Sequence, residues 1–128
     1  PMAYMAGFLN SIICPFLAGS KIVIFDKTLV NNYLNFWFEI IKKRINYFWA
    51  SPSIIKMISE YNINLNDIKK IKKNLEFIFV GTAPFHSILK KKSEKKFKIN
   101  CYESYGSNEM LLVSTNFKKK KNIFYNSR

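Results

Sequence analysis

Two short stretches stand apart from a chain otherwise rich in lysine, isoleucine and asparagine: GTAP at 81 to 84 and YGSNE at 105 to 109. The second carries residue types suited to one kind of chemistry. Tyr105 offers a flat ring for stacking on a base. Gly106 lets a ligand come close to the backbone. Ser107 and Asn108 carry donors for phosphate oxygens. Glu109 is a hard oxygen ligand of the kind magnesium takes. Together they could hold a nucleotide with its metal. A plain turn, with Glu109 on the surface and Tyr105 in the core, uses the same residues, and spacing alone favours that simpler reading.

What separates the two readings is position, and the surrounding elements set it. KIVIFD (21–26) is a short apolar run after the turn residues Gly19 and Ser20, and it predicts a buried strand. Along 31–44 a helix is expected, with Leu34, Trp37, Phe38, Ile41 and Ile45 on one buried stripe. INYFWA (45–50) is a second strand. Ser51 and Pro52 then suit the cap and first position of a helix. A short helix follows at 65–74, with Ile68 and Ile71 facing inward. LEFIFVG (75–81) is a third strand, SILKKKSEKKF (87–97) a lysine-faced helix, and KINCYESYG (98–106) a fourth strand. The charged tail ends in a further possible strand at NIFY.

Strands alternating with helices imply right-handed parallel βαβ units, hence an α/β fold with a mainly parallel, layered sheet. In such sheets ligands bind beyond the carboxyl ends of the strands. Both stretches leave strand ends there. If the two strands are neighbours, the loops flank one crevice.

Composition limits the alternatives. The chain has 128 residues, 48% hydrophobic and 16% aromatic, which suits one domain with a real core and excludes disorder. A net charge of +13 invites a nucleic-acid partner. Yet Lys outnumbers Arg nineteen to two, and arginine supplies the bidentate contacts to phosphate and guanine. A compositional bias toward Lys and Asn is the preferred account, so no specific nucleic-acid partner is expected. One histidine and no Cys-x-x-Cys pair leave no metal cluster of that kind. Cys14 and Cys101 sit in apolar surroundings and are expected to be buried free thiols, fitting a reducing, cytoplasmic compartment. Residues 1–20 carry no charge, but Gly7, Asn10, Ser11, Pro15 and Gly19 interrupt them. They are expected to form a buried helix of the core rather than a membrane span or a signal. Both ends look cut from something longer.

The two stretches, in context, resemble a known pattern. YGSNE resembles the Tyr-Gly-x-Thr-Glu motif of the adenylate-forming superfamily, which includes acyl-CoA synthetases, aryl-CoA ligases, luciferases and peptide-synthetase adenylation domains. GTAPF resembles that family's Gly-Ala/Gly-Ala-Pro-Leu loop. PMAYMAGFLNSIICPFLAGSKIVIFD is similar to its Pro-x-x-His-x-x-Gly segment, which runs through Pro-Leu-x-x-Gly into a strand. YFWASPSIIKMI resembles its strand and Pro-led helix. All occur in the family's order over residues 1 to 116.

The resemblance implies an ATP-dependent ligase. A carboxylate attacks the α-phosphate of MgATP to give an acyl-adenylate and pyrophosphate. A thiol, from coenzyme A or a carrier protein's phosphopantetheine, then takes the acyl group. By the match, Tyr105 stacks on adenine, and Gly81, Thr82, Ala83 and Pro84 line the adenine and acyl pocket. Gly106 and Ser107 complete the nucleotide contact. Asn108 touches the α-phosphate and Glu109 holds magnesium; these two carry the catalytic assignment. Tyr4 stands where the family has its pocket histidine, beside Gly81 and Thr82. Three residues depart from the pattern: Asn108 replaces Thr, Tyr4 replaces His, and Phe85 replaces Leu. The family's lysine-containing phosphate loop lies upstream of this segment. Its ribose-binding Asp, hinge and catalytic Lys lie downstream. None has a counterpart here, so residues 1–128 correspond to a partial adenylation domain that is inactive by itself. Two other readings stay open: a basic α/β module that binds nucleic acid, and a decayed relative without catalysis.

Overall fold

Three short strands carry the apolar runs: β1 (Tyr47–Ala50), β2 (Phe77–Val80) and β3 (Asn100–Ser107). The structure is a computed structural model that describes residues 5–25 and 33–116. Tyr4, Asp26 and everything from 117 onward, including the strand expected at NIFY, lie outside these residues. The strands pair in parallel, with Tyr47 opposite Phe77 and Phe77 opposite Asn100. β4 (Leu111–Thr115) adds an antiparallel edge, giving the order β1-β2-β3-β4. The expected α/β sheet is present. The closing hairpin is an addition the sequence did not lead us to expect.

Side chains alternate across the pleat. Ile78, Val80 and Cys101 point to one face and are fully buried there. The other face carries rings: Trp49 stacks on Phe79 with centroids 4.7 Å apart, and Tyr47 on Phe77 at 5.6 Å. The buried face is covered by α3 (Tyr33–Lys42), α4 (Pro52–Glu60), α5 (Leu65–Asn74) and α6 (Ser87–Phe97). Ile40, Ile55, Ile58, Ile71 and Phe97 fill the space between.

Local chemistry fixes where these helices begin. The Ser51 hydroxyl accepts the Ile54 N–H at 3.3 Å, with Pro52 next to it. Asn64 does the same for α5, accepting the Asp67 N–H at 2.8 Å. Lys96 then ties α6 to the end of α4, its ammonium donating to the carbonyls of Ser59 at 2.6 Å and Tyr61 at 2.5 Å.

Several expectations need correction. The run at 21–26 forms no strand over its described part, residues 21–25. Ile22, Val23 and Phe25 instead line a space beside the free edge of β1, docking by side chains without ladder hydrogen bonds. In α3, Trp37 and Ile40 are buried, whereas Phe38 is 59% exposed. It lies about 100° around the helix from Trp37. The inward position is already taken by Trp37, packed on Phe97 at 4.7 Å.

The uncharged N-terminal stretch is helical but not a buried core helix. Its described part runs as α1 (Met5–Phe8), a π turn (Leu9–Ile13) and α2 (Cys14–Leu17). Phe8, Phe16, Leu17 and Cys14 are exposed, so Cys14 is not the buried thiol expected, while Cys101 is. Cys14 donates its N–H to the Leu9 carbonyl, five residues back. Pro15, which follows, has no N–H and crowds the carbonyl four residues before it, and a widened turn relieves that crowding. No helix among the described residues is long and apolar enough to cross a membrane.

Candidate functional site

Because β2 and β3 are parallel neighbours, they end on the same side of the sheet, with Val80 opposite Glu103. The chain leaving β2 is GTAP. The chain continuing β3 is SYGSNE. Gly81 and Thr82 thereby face Tyr105, Gly106, Ser107 and Asn108 across a cavity of about 250 Å³, floored by Trp49 and Ser104. Ala83 and Pro84 line an adjoining cavity of about 480 Å³, which shares Thr82, Ser104, Tyr105 and Gly106 with the first. The two stretches thus flank one crevice at the carboxyl ends of the strands.

The second stretch is not a simple turn. β3 runs through Ser107, and residues 108–110 form the bend into β4. The ladder slips by one residue between Tyr105 and Gly106, a β-bulge. At Gly106 a Cβ would stand 2.1 Å from the Leu111 carbonyl oxygen. Close passage of the partner strand is therefore sufficient reason for this glycine. The bulge turns Tyr105 outward. Its ring is 63% exposed, so the core tyrosine of the plain-turn reading is absent. Across the crevice Thr82 has φ 75, a left-handed backbone that a β-branched residue rarely takes.

Glu109 stands fully exposed in the bend, next to Asn108 and outside the cavity lining. A hydrogen bond from Ser107 and one from its own backbone hold its carboxyl below the usual carboxylate range, so it is ionised at neutral pH. Ser107 also accepts the Met110 N–H at 3.2 Å. No group of three or more His, Cys, Asp or Glu gathers to hold a metal among the described residues. A single ionised carboxylate is compatible with magnesium, which keeps most of its ligands as substrate phosphates and water.

Glu103 was not among the expected site residues, yet it joins the two loops. Its carboxylate accepts the Phe85 N–H at 3.0 Å, and its own N–H donates to Asn116 Oδ1 at 2.7 Å. A charged residue inside an apolar strand was the signal available for it. Ser104, hydrogen-bonded to Thr115 at 2.9 Å, and Asn10, reaching the cavity from the π turn, were missed as well.

The model of the AMP-binding enzyme family matches residues 1–126. The chain belongs to the AMP-binding enzyme family. Three solved structures place that family's fold beside it. An ATP-bound RpMatB-BxBclM chimera aligns with TM-score 0.73 and 14% identity, covering 91% of this chain and 21% of the other. A malonyl-CoA ligase in a ternary product complex with methylmalonyl-CoA and AMP aligns with TM-score 0.71 and 15% identity, covering 90% and 24%. The inhibitor-bound N-terminal domain of FACL13 from Mycobacterium tuberculosis gives TM-score 0.67 and 20% identity, covering 85% and 25%. At these identities the likeness is one of fold. This AMP-binding chain spans between a fifth and a quarter of the length of those chains. No curated protein sequence matches it.

Proposed function

We propose that this chain is part of an ATP-dependent ligase that activates a carboxylic acid as its acyl-adenylate and passes the acyl group to a thiol. The convergence of the 81–84 and 105–109 segments on one crevice at the ends of adjacent parallel strands carries the reading. Tyr105, exposed on the crevice wall, supplies the face on which adenine stacks. Gly81, Thr82, Ala83 and Pro84 form the opposite wall. Gly106 and Ser107 complete the nucleotide contact.

In the first step an oxygen of the substrate carboxylate attacks the α-phosphorus, and the bond to the β-phosphate oxygen breaks. Negative charge grows on the phosphoryl oxygens. The Asn108 amide donates a hydrogen bond to them, as a threonine hydroxyl would, from a longer and planar group. Glu109 would hold a magnesium ion, which would neutralise phosphate charge. The crevice fixes the approach of carboxylate to phosphorus, and positioning of that kind supplies much of a barrier reduction. In the second step the sulfur of coenzyme A, or of a carrier protein's phosphopantetheine, attacks the acyl carbonyl and AMP leaves. Residues 1–128 form a partial adenylation domain, and the phosphate loop and catalytic lysine come from elsewhere in the complete enzyme.

Acid-dependent exchange of pyrophosphate into ATP by the full-length protein tests this reading. Glu109→Gln is expected to abolish most of the exchange with the fold retained. Tyr105→Ala is expected to weaken ATP binding by about 1–3 kcal/mol, the worth of one stacking contact. Full exchange by the Glu109 variant would remove the metal assignment, and unchanged ATP affinity in the Tyr105 variant would remove the adenine assignment.

A further inference from the structure

A cavity of about 550 Å³ runs along β1 and shares Trp49 with the floor of the crevice. Its two ends differ in character. Tyr47, Phe48 and Trp49 line it along the strand, while Lys43 and Arg44 reach it from the end of α3 and Lys21 from the segment after Ser20. Among the described residues none of the lining is acidic. Lys21, Lys43 and Arg44 also form no ion pair among the described residues, whereas Lys42 pairs with Glu39 at 3.9 Å.

A helix C-terminus favours cations, and that accounts for Lys43. It does not account for Lys21, which comes from a separate segment. Nor does the turn call for an arginine at 44. Arg44 has φ 54, and its N–H donates to the Ile41 carbonyl at 3.2 Å while that of Ile45 donates to Ile40 at 3.1 Å. That is the left-handed position after a helix which glycine ordinarily fills. A strand advances about 3.3 Å per residue, so the cations at 43 and 44 stand roughly 15 Å from Trp49. A ligand seated here carries an anion at one end and an uncharged body that reaches the crevice. A short dicarboxylic acid activated in the crevice would not span that distance, and an apolar acyl chain would gain nothing from the cations.

Resting on the adenylation reading above, we propose that this cavity seats the phosphopantetheine arm of the thiol acceptor, its phosphate between Lys21, Lys43 and Arg44 and its uncharged chain along β1, with the sulfur at the crevice. Extended, that arm measures roughly 15 Å from phosphorus to sulfur at ordinary bond lengths. The three cations are exposed, at the mouth of the cavity, where the arm must join a bulkier group that stays outside. Coenzyme A and a carrier protein present the same arm, the one joined to a nucleotide and the other to a serine.

Pyrophosphate exchange and thioester formation are measured separately on the full-length protein, with coenzyme A, 4′-phosphopantetheine and pantetheine as thiols. Glycine suits the left-handed backbone, so Arg44→Gly removes the guanidinium and keeps the turn. Combined with Lys43→Gln, it is expected to raise the KM for both phosphorylated thiols about tenfold or more, through loss of charge-assisted contacts to phosphate. The KM for pantetheine, which has no phosphate, and the rate of pyrophosphate exchange should stay unchanged. In the wild type, a KM for coenzyme A well below that for 4′-phosphopantetheine identifies the free coenzyme as the source of the arm, and equal values identify a carrier protein; both support the seat if the variant loses them. An unchanged KM for the phosphorylated thiols, or an equal rise for pantetheine, overturns it while adenylation stands. Exchange without thioester formation from any of the three thiols overturns it as well. If no acid supports exchange, the adenylation reading falls and this inference with it.

Discussion

The carboxylate of Glu103 accepts the backbone N–H of Phe85 at 3.0 Å. One strand end thereby holds the loop that leaves its neighbour. The bond is partly sheltered and ties the loop after β2 to β3 beside the crevice. Glu103→Ala is expected to destabilise the fold by about 1–3 kcal/mol, because the Phe85 N–H loses its acceptor. Glu103→Gln keeps an oxygen there and should recover much of the loss. Denaturant titration of both variants measures this, and equal losses in the two would show that the hydrogen bond is not what matters.

Gly106 has no room for a side chain where β4 passes. Gly106→Ala is expected to cost about 1–3 kcal/mol through overpacking and to disturb the bulge. Faster amide hydrogen exchange across 111–115 would report the disturbed ladder. An alanine variant with unchanged exchange and stability would mean that the hairpin shifts at little cost.

The Ser107 hydroxyl keeps Glu109 ionised into unusually acidic solution. A depressed carboxyl pKa means that any function of the carboxylate survives down through the ordinary range. It is lost only as pH falls through the lowered value. Ser107→Ala should return the carboxyl toward its usual titration. A carbon-13 titration of the Glu109 carboxyl reads the shift directly, and an unmoved titration would remove Ser107 as its cause.

The two thiols should behave oppositely. Cys14 is exposed, whereas burial, with Glu94 nearby, pushes the Cys101 thiol from 9.0 up to about 12. Labelling by a thiol reagent followed by peptide mapping should find Cys14 modified in the native protein and Cys101 only after unfolding. The unfolded thiol gives up its proton near pH 9 while the folded one keeps it. Stability from this group is therefore full below about pH 9 and falls by about 1.4 kcal/mol per pH unit on the way to 12. Cys101→Ser should flatten that alkaline slope.

Much of this fold was legible because local signals agreed with one another. The apolar run LEFIFV closed by Gly81, the Ser51-Pro52 start and the isoleucine spacing in α5 each pointed to the element that forms. What escaped the sequence depended on tertiary context. KIVIFD has strand composition, but its described part, residues 21–25, forms no strand. Phe38 fits the helical stripe, but Trp37 occupies the inward position. The hairpin after Ser107 hides in LLVST, a run with neither strict alternation nor a type I′ turn signal such as Asn-Gly. At the site, motif residues were visible as unusual chemistry in a Lys- and Asn-rich chain. Glu103 and Asn10 were not, because each acts through a partner or a space that only the folded chain brings to it.

The chain has two tryptophans, and the sheet separates them. Trp37 is 3% exposed against Phe97, deep in the helical layer, while Trp49 floors the crevice on the opposite face. The two indoles therefore report on different places in the fold. The signal from Trp37 follows whether the core is intact. The signal from Trp49 follows whether the crevice is occupied. With Trp37 replaced by Phe, the remaining indole becomes a label-free optical sensor of binding, already built into the floor of the site.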